Sequence, residues 1–404
     1  MSDQEPQSQK PESPSSFSHS TRIGSLFGID IYLDASVMII FALVVWILGG
    51  NVFPGWHPEW GLALSWATGL MAGLLFFASL LAHEMAHSVV ARGYGIPVPR
   101  ITLFMFGGVS EMQEEPETPK KEFWIAIVGP AMSLFLGVVF TLLANALAPA
   151  NFAATLAEDQ QAALASLAPL PTLLFWLGPV NFLLAIFNLV PGFPLDGGRV
   201  LRAGLWWMTG NLEQATRWAA AGGRIFGWFL MLVGALEVLS GMFQGLWLIL
   251  IGWFLASAAS SSYSQLMMRR TLQGCRVRDV MRTHFETVDA DMTVAEFIDD
   301  YLLKSSQRLW PVTSDGRLQG FASLEIIQDI ESAERGSKRL RDVMRSDLES
   351  LTVAADADAM KATERMSYGS LPMAVVRGDE VVGLLSQEDV VKWLTLHPRD
   401  RLTA

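Results

Sequence analysis

Six stretches of this chain are apolar over roughly the length a lipid bilayer demands, and that limits the fold more than any other feature. A spanning helix needs about 20 mostly apolar residues. Ala35–Gly50, Leu62–Ala91, Phe123–Ala148, Leu173–Val190, Gly222–Ser240 and Met242–Tyr263 approach or exceed that length. The first is short, which predicts a helix that starts a few residues earlier, near Ile29, with Asp34 as a cap or half-buried polar residue. Of 404 residues, 51% are hydrophobic and only 17% charged, too apolar for an ordinary soluble protein. Charge returns in Arg269–Ala404, which reads as a soluble domain. The expected fold is therefore a multi-pass α-helical membrane unit of six transmembrane helices followed by a soluble α/β unit.

The connections between the apolar stretches carry a topological signal. Asn51–Gly61 and Pro149–Thr172 contain neither Lys nor Arg, whereas the opposite connections hold Arg92, Arg100, Lys120 and Lys121, then Arg199, Arg202 and Arg217, then Arg269 and Arg270. The excess of basic residues marks the cytoplasmic side, so a cell-membrane protein with both termini in the cytoplasm is expected. A net charge of −11 leaves no basic stripe for nucleic acid. The single cysteine, Cys275, excludes an intrachain disulfide. Residues 1–22 are polar, lack the apolar core of a signal peptide and read as a disordered tail. Arg100–Met112 (RITLFMFGGVSEM) is apolar but too short to span; a re-entrant strand or hairpin is expected. Irregular backbone at membrane depth needs protein or a water-filled cavity around it, so a groove is implied.

The second apolar stretch contains LLAHEMAHSVV, which places His83 and His87 four residues apart on one helical face. Two neutral imidazoles at this spacing can ligate one Zn²⁺, and Glu84 between them is placed to act as a general base toward water. Such a match can arise by accident on a soluble helix. Here two of only six histidines and a carboxylate share a membrane segment, where each ionisable group costs a few kcal/mol unless it is paired or ligating. A catalytic zinc takes three protein ligands. Asp196, in NLVPGFPLDGGRV, ends the fourth stretch on the same side of the membrane as the two histidines and is the candidate third ligand. Asp-Gly after two prolines is also a turn signal, and both roles can hold together. Asn188 is read either as a donor to a developing oxyanion or substrate backbone, or as an interhelical hydrogen-bonding residue. Asn145 and Asn181 read as interhelical bonds, Arg224 as an anchor at a helix start, and Glu237 as a residue near the outer end of the fifth helix.

HEMAH in a membrane helix followed by NLVPGFPLDGGR resembles the site-2 protease family of intramembrane metalloproteases, over Ile23 to about Tyr263. LFMFGGVSEM and VGPAMSL, with Gly129 and Pro130, extend the likeness. The resemblance implies that His83, His87 and Asp196 ligate zinc and that Glu84 activates water. It also implies that Gly107, Gly108 and Val109 present substrate by edge pairing, and that the substrate is a single-pass membrane protein. One departure concerns a histidine that the family often carries early in its first span. Here the matching stretch GIDIYLDASV has Asp34, so no zinc role falls to the first helix. Arg92–Glu122 is too short for a PDZ domain, which resembles the CBS-containing branch of the family.

The C-terminal third repeats itself: VRDVMRTHFETVDADMTVAEF (Val277–Phe297) echoes LRDVMRSDLESLTVAADADAM (Leu340–Met360). Each half continues with two apolar strands and a helix, with Gly316 and Gly378-Asp379 as hairpin turns. The pattern resembles tandem CBS domains. That likeness implies either an adenine-nucleotide site, ATP among the candidates, or a homodimerisation unit. Ser386 and Asp389 in GLLSQED are placed to meet a ribose or phosphate, whereas the first half has Ile326 where an Asp is usual. Bound nucleotide is expected to act on the proteolytic unit. The expected domains are a tail (1–22), a six-helix metalloprotease unit (23–265), a linker (266–275), two CBS domains (276–334 and 335–397) and a C-terminal tail (398–404). Because CBS pairs also accompany ion-conducting membrane domains, a CBS-gated transporter or channel is the alternative. The His83-Glu84-His87 constellation argues for the protease.

Overall fold

The computed structural model describes residues 20–272, 274–366, 371–378 and 380–397. The greater part of the expected N-terminal tail, the C-terminal tail and Asp379 of the second hairpin lie outside the described residues, as do the side chains of Arg269 and Arg270. The described residues divide into two compact units, one ending at Ser264 and the other beginning at Gln265.

The first unit opens with strands β1 (Ser20–Leu26) and β2 (Ile29–Asp34), joined by a turn at Phe27-Gly28 in which both residues have positive φ. Helix α1 (Ala35–Ile47) follows directly and runs on through a π turn, Leu48–Val52, into α2 (Phe53–Trp56). Then come α3 (Leu62–Gly93), β3 (Arg100–Phe104), β4 (Gly107–Ser110) and α4 (Pro119–Leu147). Short helices α5 (Phe152–Glu158) and α6 (Gln160–Ala165) lead to α7 (Pro169–Asn188), α8 (Asp196–Thr209), α9 (Leu212–Leu239) and α10 (Gly245–Leu272), the last of which belongs to this unit as far as Ser264. Among the described residues, six helical stretches are long and apolar enough to cross a membrane: Ala35–Trp56, α3, α4, α7, α9 and Gly245–Met268.

These six stretches are the six read from hydropathy, with instructive differences at their ends. The first does not begin near Ile29. Ile29–Asp34 pairs as a strand instead, and the Asp34 carboxylate caps α1 by accepting from the Ser36 amide at 2.9 Å, so the missing length is found at the C-terminal end. The fifth begins ten residues before Gly222, which puts Arg224 inside α9 rather than at its start. The amide of Asn145 donates to Thr141 O within its own helix, not across to another. Helix α8 escaped the hydropathy reading because it is amphipathic and starts at an Asp-Gly-Gly that reads as a turn.

The four strands form one sheet in the order β1-β2-β3-β4, with β2 and β3 parallel and the other pairs antiparallel. Arg100–Met112 is thus a hairpin, and β4 is an edge strand. Ile29, Ile31, Ile101 and Leu103 of the sheet share a core with Leu80, Met85 and Ala91 of α3 and Ile125 of α4. The sheet is thereby fixed to the half of α3 that carries HEMAH. Further along, the loop Pro191–Leu195 lies against Gly222-Gly223 of α9, with Phe193 N donating to Ala219 O at 3.1 Å. A Cβ on Gly223 would fall within 1.8 Å of Phe193 O, and one on Gly222 within 2.4 Å of Pro191 O.

The second unit contains α11 (Val277–Val280), β5 (Val288–Asp289), α12 (Val294–Phe297), β6 (Trp310–Ser314), β7 (Arg317–Ala322) and α13 (Leu324–Ile327). Its second half has α14 (Leu340–Val343), α15 (Leu348–Leu351), β8 (Thr352–Ala354), α16 (Ala359–Arg365), β9 (Met373–Arg377), β10 (Glu380–Leu385) and α17 (Gln387–Leu396). Each half is a three-stranded sheet with one parallel and one antiparallel pair. The halves are cross-stitched: Arg282 pairs with Leu384, and Arg345 pairs with Phe321. Gly383 and Gly320 allow this symmetrically, since a Cβ at either would strike the sulfur of Met281 or Met344 at 2.6 or 2.7 Å.

The closeness of α9 to the Pro191–Leu195 loop makes Gly223→Ala a sensitive variant. It is expected to destabilise the membrane unit by about 1–3 kcal/mol through overpacking. Thermal unfolding in detergent should show a lower midpoint than wild type; an unchanged midpoint would mean the loop does not sit on α9.

Candidate metal centre

His83 and His87 project from one face of α3, four residues apart, and both are buried, at 2% and 3% exposed. Asp196 is the first residue of α8, partly buried, and its Oδ2 lies 3.0 Å from His83 Nε2 and 3.1 Å from His87 Nε2. The two Nε2 atoms are 3.2 Å apart. Asp196, 109 or more residues along the chain from the two histidines, thus joins them to bring three candidate ligand atoms together, the only such cluster of three among the described residues.

The outer edges of the imidazoles are held as ligands require. His87 Nδ1 lies 2.6 Å from Ile125 O, which can only accept, so this nitrogen carries the proton and Nε2 presents a lone pair to the cluster. His83 Nδ1 lies 2.9 Å from Ser133 Oγ. With both rings neutral, at least two of the three contacts inside the cluster set lone pair against lone pair, an arrangement that a cation relieves. The donor set fits zinc: two imidazole nitrogens and a carboxylate oxygen, with edges close to the ~3.3 Å expected between ligands of a tetrahedral ion bound at about 2.0–2.1 Å. Gly129 of α4 completes the fit, because a Cβ there would lie 2.1 Å from His87 Nε2 and 2.7 Å from His83 Nε2. Any side chain at 129 would collide with the ring nitrogens that face the cluster.

Glu84 sits beside this cluster, partly exposed where the histidines are buried. Its Oε2 accepts from Ser110 Oγ at 3.0 Å, and Ser88 Oγ donates to Ser110 Oγ at 3.0 Å. Gly108 faces the same carboxylate: a Cβ there would lie 2.4 Å from Glu84 Cγ. Strand β4, with Gly107, Gly108 and Val109, is therefore pressed against Glu84, and its outer edge is unpaired in the sheet. Asn188 donates to Leu184 O at 3.0 Å in its own helix.

Residues 71–233 match the family model for peptidase family M50. A Synechocystis sp. protein bearing a zinc metalloprotease name is 32% identical over 382 residues, covering 92% of this chain and 95% of that protein. This chain belongs to peptidase family M50. It is a zinc metalloprotease of the site-2 protease type, and residues 277–329 and 340–396 match the CBS domain model. A Mycobacterium tuberculosis protein, also named as a zinc metalloprotease, is 34% identical over 380 residues, 93% of each chain. A solved site-2 protease from Methanocaldococcus jannaschii is 28% identical, covers 60% of this chain and 95% of its own, and superposes with a TM-score of 0.42.

Several groups in this M50 protease escape a motif reading. Ser133, Ser110 and Ser88 are ordinary helix and strand serines by sequence, and Ile125 acts through its backbone. Gly129 was visible as half of a Gly-Pro pair, but its task, leaving space for two imidazoles, needs coordinates. In the CBS pair, Ser386 and Asp389 form a capping box on α17, and Asp389 is also paired with Arg282 at 3.3 Å. A cavity of about 330 Å³ opens elsewhere in the pair, lined by residues that include Glu325, Arg345, Ser350, Arg365 and Met366. Neither Ser386 nor Asp389 lines it.

Gly129→Ala should abolish stoichiometric zinc binding while leaving the helices folded. Elemental analysis of the purified variant is expected to fall from about one zinc per chain to near zero; retention of a full equivalent would place the metal elsewhere.

Proposed function

We propose that this protease hydrolyses a peptide bond within or near a transmembrane segment of a single-pass substrate protein, using a metal held by His83, His87 and Asp196. The observation that carries the reading is the convergence of Glu84, the three-ligand cluster and an open strand edge in one place. A transmembrane helix hides its peptide bonds in its own hydrogen bonds. Cleavage therefore needs a substrate segment in extended form. The edge of β4 offers such a segment backbone partners at Gly107–Val109, beside Glu84.

Zinc bound at the cluster supplies Lewis-acid polarisation of the scissile carbonyl and acidifies water. The remaining work falls to side chains. Glu84 takes the proton of the attacking water on a carboxylate oxygen and delivers it to the nitrogen of the departing amine. Ser110 Oγ, donating to Glu84 Oε2, directs which oxygen stays free for that transfer. Asn188 gives one amide hydrogen to Leu184 O and keeps a second, which is its candidate donor toward the reacting carbonyl. The catalytic end of the membrane unit faces the cytoplasm in this reading, with both termini on that side and the β3-β4 hairpin at membrane depth, as the basic connections support.

The CBS pair, in the same reading, reports an adenine nucleotide to the protease or joins two copies of the chain. The cavity that holds Arg345 and Arg365 supports the first role, since its volume lies in the range of small-molecule sites. Asp389 is paired with Arg282 and Ser386 Oγ donates to Asp389, so both would meet a nucleotide by exchanging these partners.

Glu84→Gln keeps the volume and removes the base. It should retain one zinc per chain and lose about 10²–10⁴-fold in turnover of a transmembrane substrate in lipid; turnover within a fewfold of wild type would remove Glu84 from the chemistry. Proteolysis measured in lipid with and without ATP should change severalfold, and an identical rate would leave the CBS pair without a nucleotide-sensing role.

A further inference from the structure

One stripe of α4 meets every element that carries a candidate metal ligand, although α4 supplies none itself. Ile125, Gly129 and Ser133 follow one another at helical spacing. Through a carbonyl, a gap and a hydroxyl they touch His87, both imidazoles and His83 respectively. The residue that begins this stripe is Glu122, three positions before Ile125 and fully buried at 0% exposed. Its Oε1 accepts from the guanidinium of Arg202, itself buried, on α8. Helix α8 is the one that begins with Asp196. The Arg202 guanidinium also lies 5.2 Å over the ring of Phe193, in the loop that leads into Asp196.

We propose that the Glu122–Arg202 pair is a positioning device that sets α8 against α4 so that Asp196 meets the two imidazoles. The proposal rests on the metal centre described above. Stability alone does not call for such a pair, because apolar residues of similar volume often replace a buried ion pair at no cost or with a gain. What the pair provides is direction. The first turn of α8 holds little to key it: Gly197 and Gly198 press against the backbone of Leu189, Val190 and Gly192 with no side chain, and the half-buried Arg199 reaches Met112 Sδ at 3.8 Å. The next buried polar group along the helix is Arg202, about 9 Å beyond Asp196 at 1.5 Å per residue. Its partner belongs to the same stripe that orients both histidines. All three ligands are thereby referenced to one helix, so an error in the placement of α8 becomes an error in Asp196.

The test uses the full-length protein in lipid nanodiscs as wild type, Glu122→Gln, Arg202→Lys, and the double variant Glu122→Leu/Arg202→Leu. Zinc affinity is read by chelator competition, folding by thermal unfolding, and kcat and KM on a transmembrane substrate. The double variant should unfold no earlier than wild type. It should nevertheless bind zinc about 10–100-fold more weakly, as loss of a supporting partner does at metal sites. Its kcat should fall while KM stays within about twofold, and Arg202→Lys should recover most of the affinity. Wild-type zinc affinity in a folded double variant would overturn the proposal and leave the pair a packing feature. Should the double variant not fold, Glu122→Gln decides: weakened zinc binding and a shifted visible spectrum of its cobalt-substituted form support positioning, and unchanged values refute it. Absence of zinc from the wild type would instead strike the metal centre itself.

Discussion

Everything in the membrane unit is arranged around one electrostatic demand: three lone-pair donors, His83 Nε2, His87 Nε2 and Asp196 Oδ2, brought within 3.2 Å of one another in a largely buried place. With both rings neutral and no cation, that meeting sets lone pair against lone pair, and a cation turns it into a binding site. The cost of holding it explains features that look unrelated. The backbone of α4 must come close, which requires Gly129. The histidines must show Nε2 inward, for which Ile125 O and Ser133 Oγ hold the far side of each ring. Helix α8 must begin where the loop from α7 ends, which puts glycines at 192, 197, 198, 222 and 223 where backbones touch.

In the proposed reaction the strand sheet answers a second demand, access of a peptide. Strand β4 lies at the edge of its sheet and faces Glu84, with Gly108 allowing the approach and Ser110 binding the carboxylate. Glu84, the three candidate ligands and an unpaired backbone edge therefore share one locality, yet they come from elements separated by long stretches of chain. Long-range packing, from Ile29 and Ile101 in the sheet to Leu80 in α3 and Ile125 in α4, is what holds them in register.

The six apolar helices and the meeting of the candidate ligands were legible in the sequence, because bilayer-length helices and metal-binding patterns obey strict spacing. His83, Glu84 and His87 declare themselves by their i, i+1, i+4 pattern, and Asp196 by its place at the end of an apolar segment. The CBS repeat was legible as self-similarity, and both family assignments follow those residues. The helix ends were less so. Ile29–Asp34 is as apolar as a helix start, and only pairing with β1 and β3 makes it a strand. Helix α8 has too little hydrophobic content to register as a span and too many glycines to look helical. Contacts made by common residues were not legible at all: a serine at 133 or 110, or a glutamate at 122 beside two lysines, carries no mark of its partner.

X-ray absorption at the zinc edge, on the full-length protein purified without chelators, tests the metal centre most directly. One zinc per chain with only nitrogen and oxygen neighbours at about 2.0–2.2 Å is expected, with loss of the metal in His83→Ala. A folded wild-type protein that takes up no zinc, or a zinc with a sulfur neighbour near ~2.3 Å, would contradict a site built from α3 and α8.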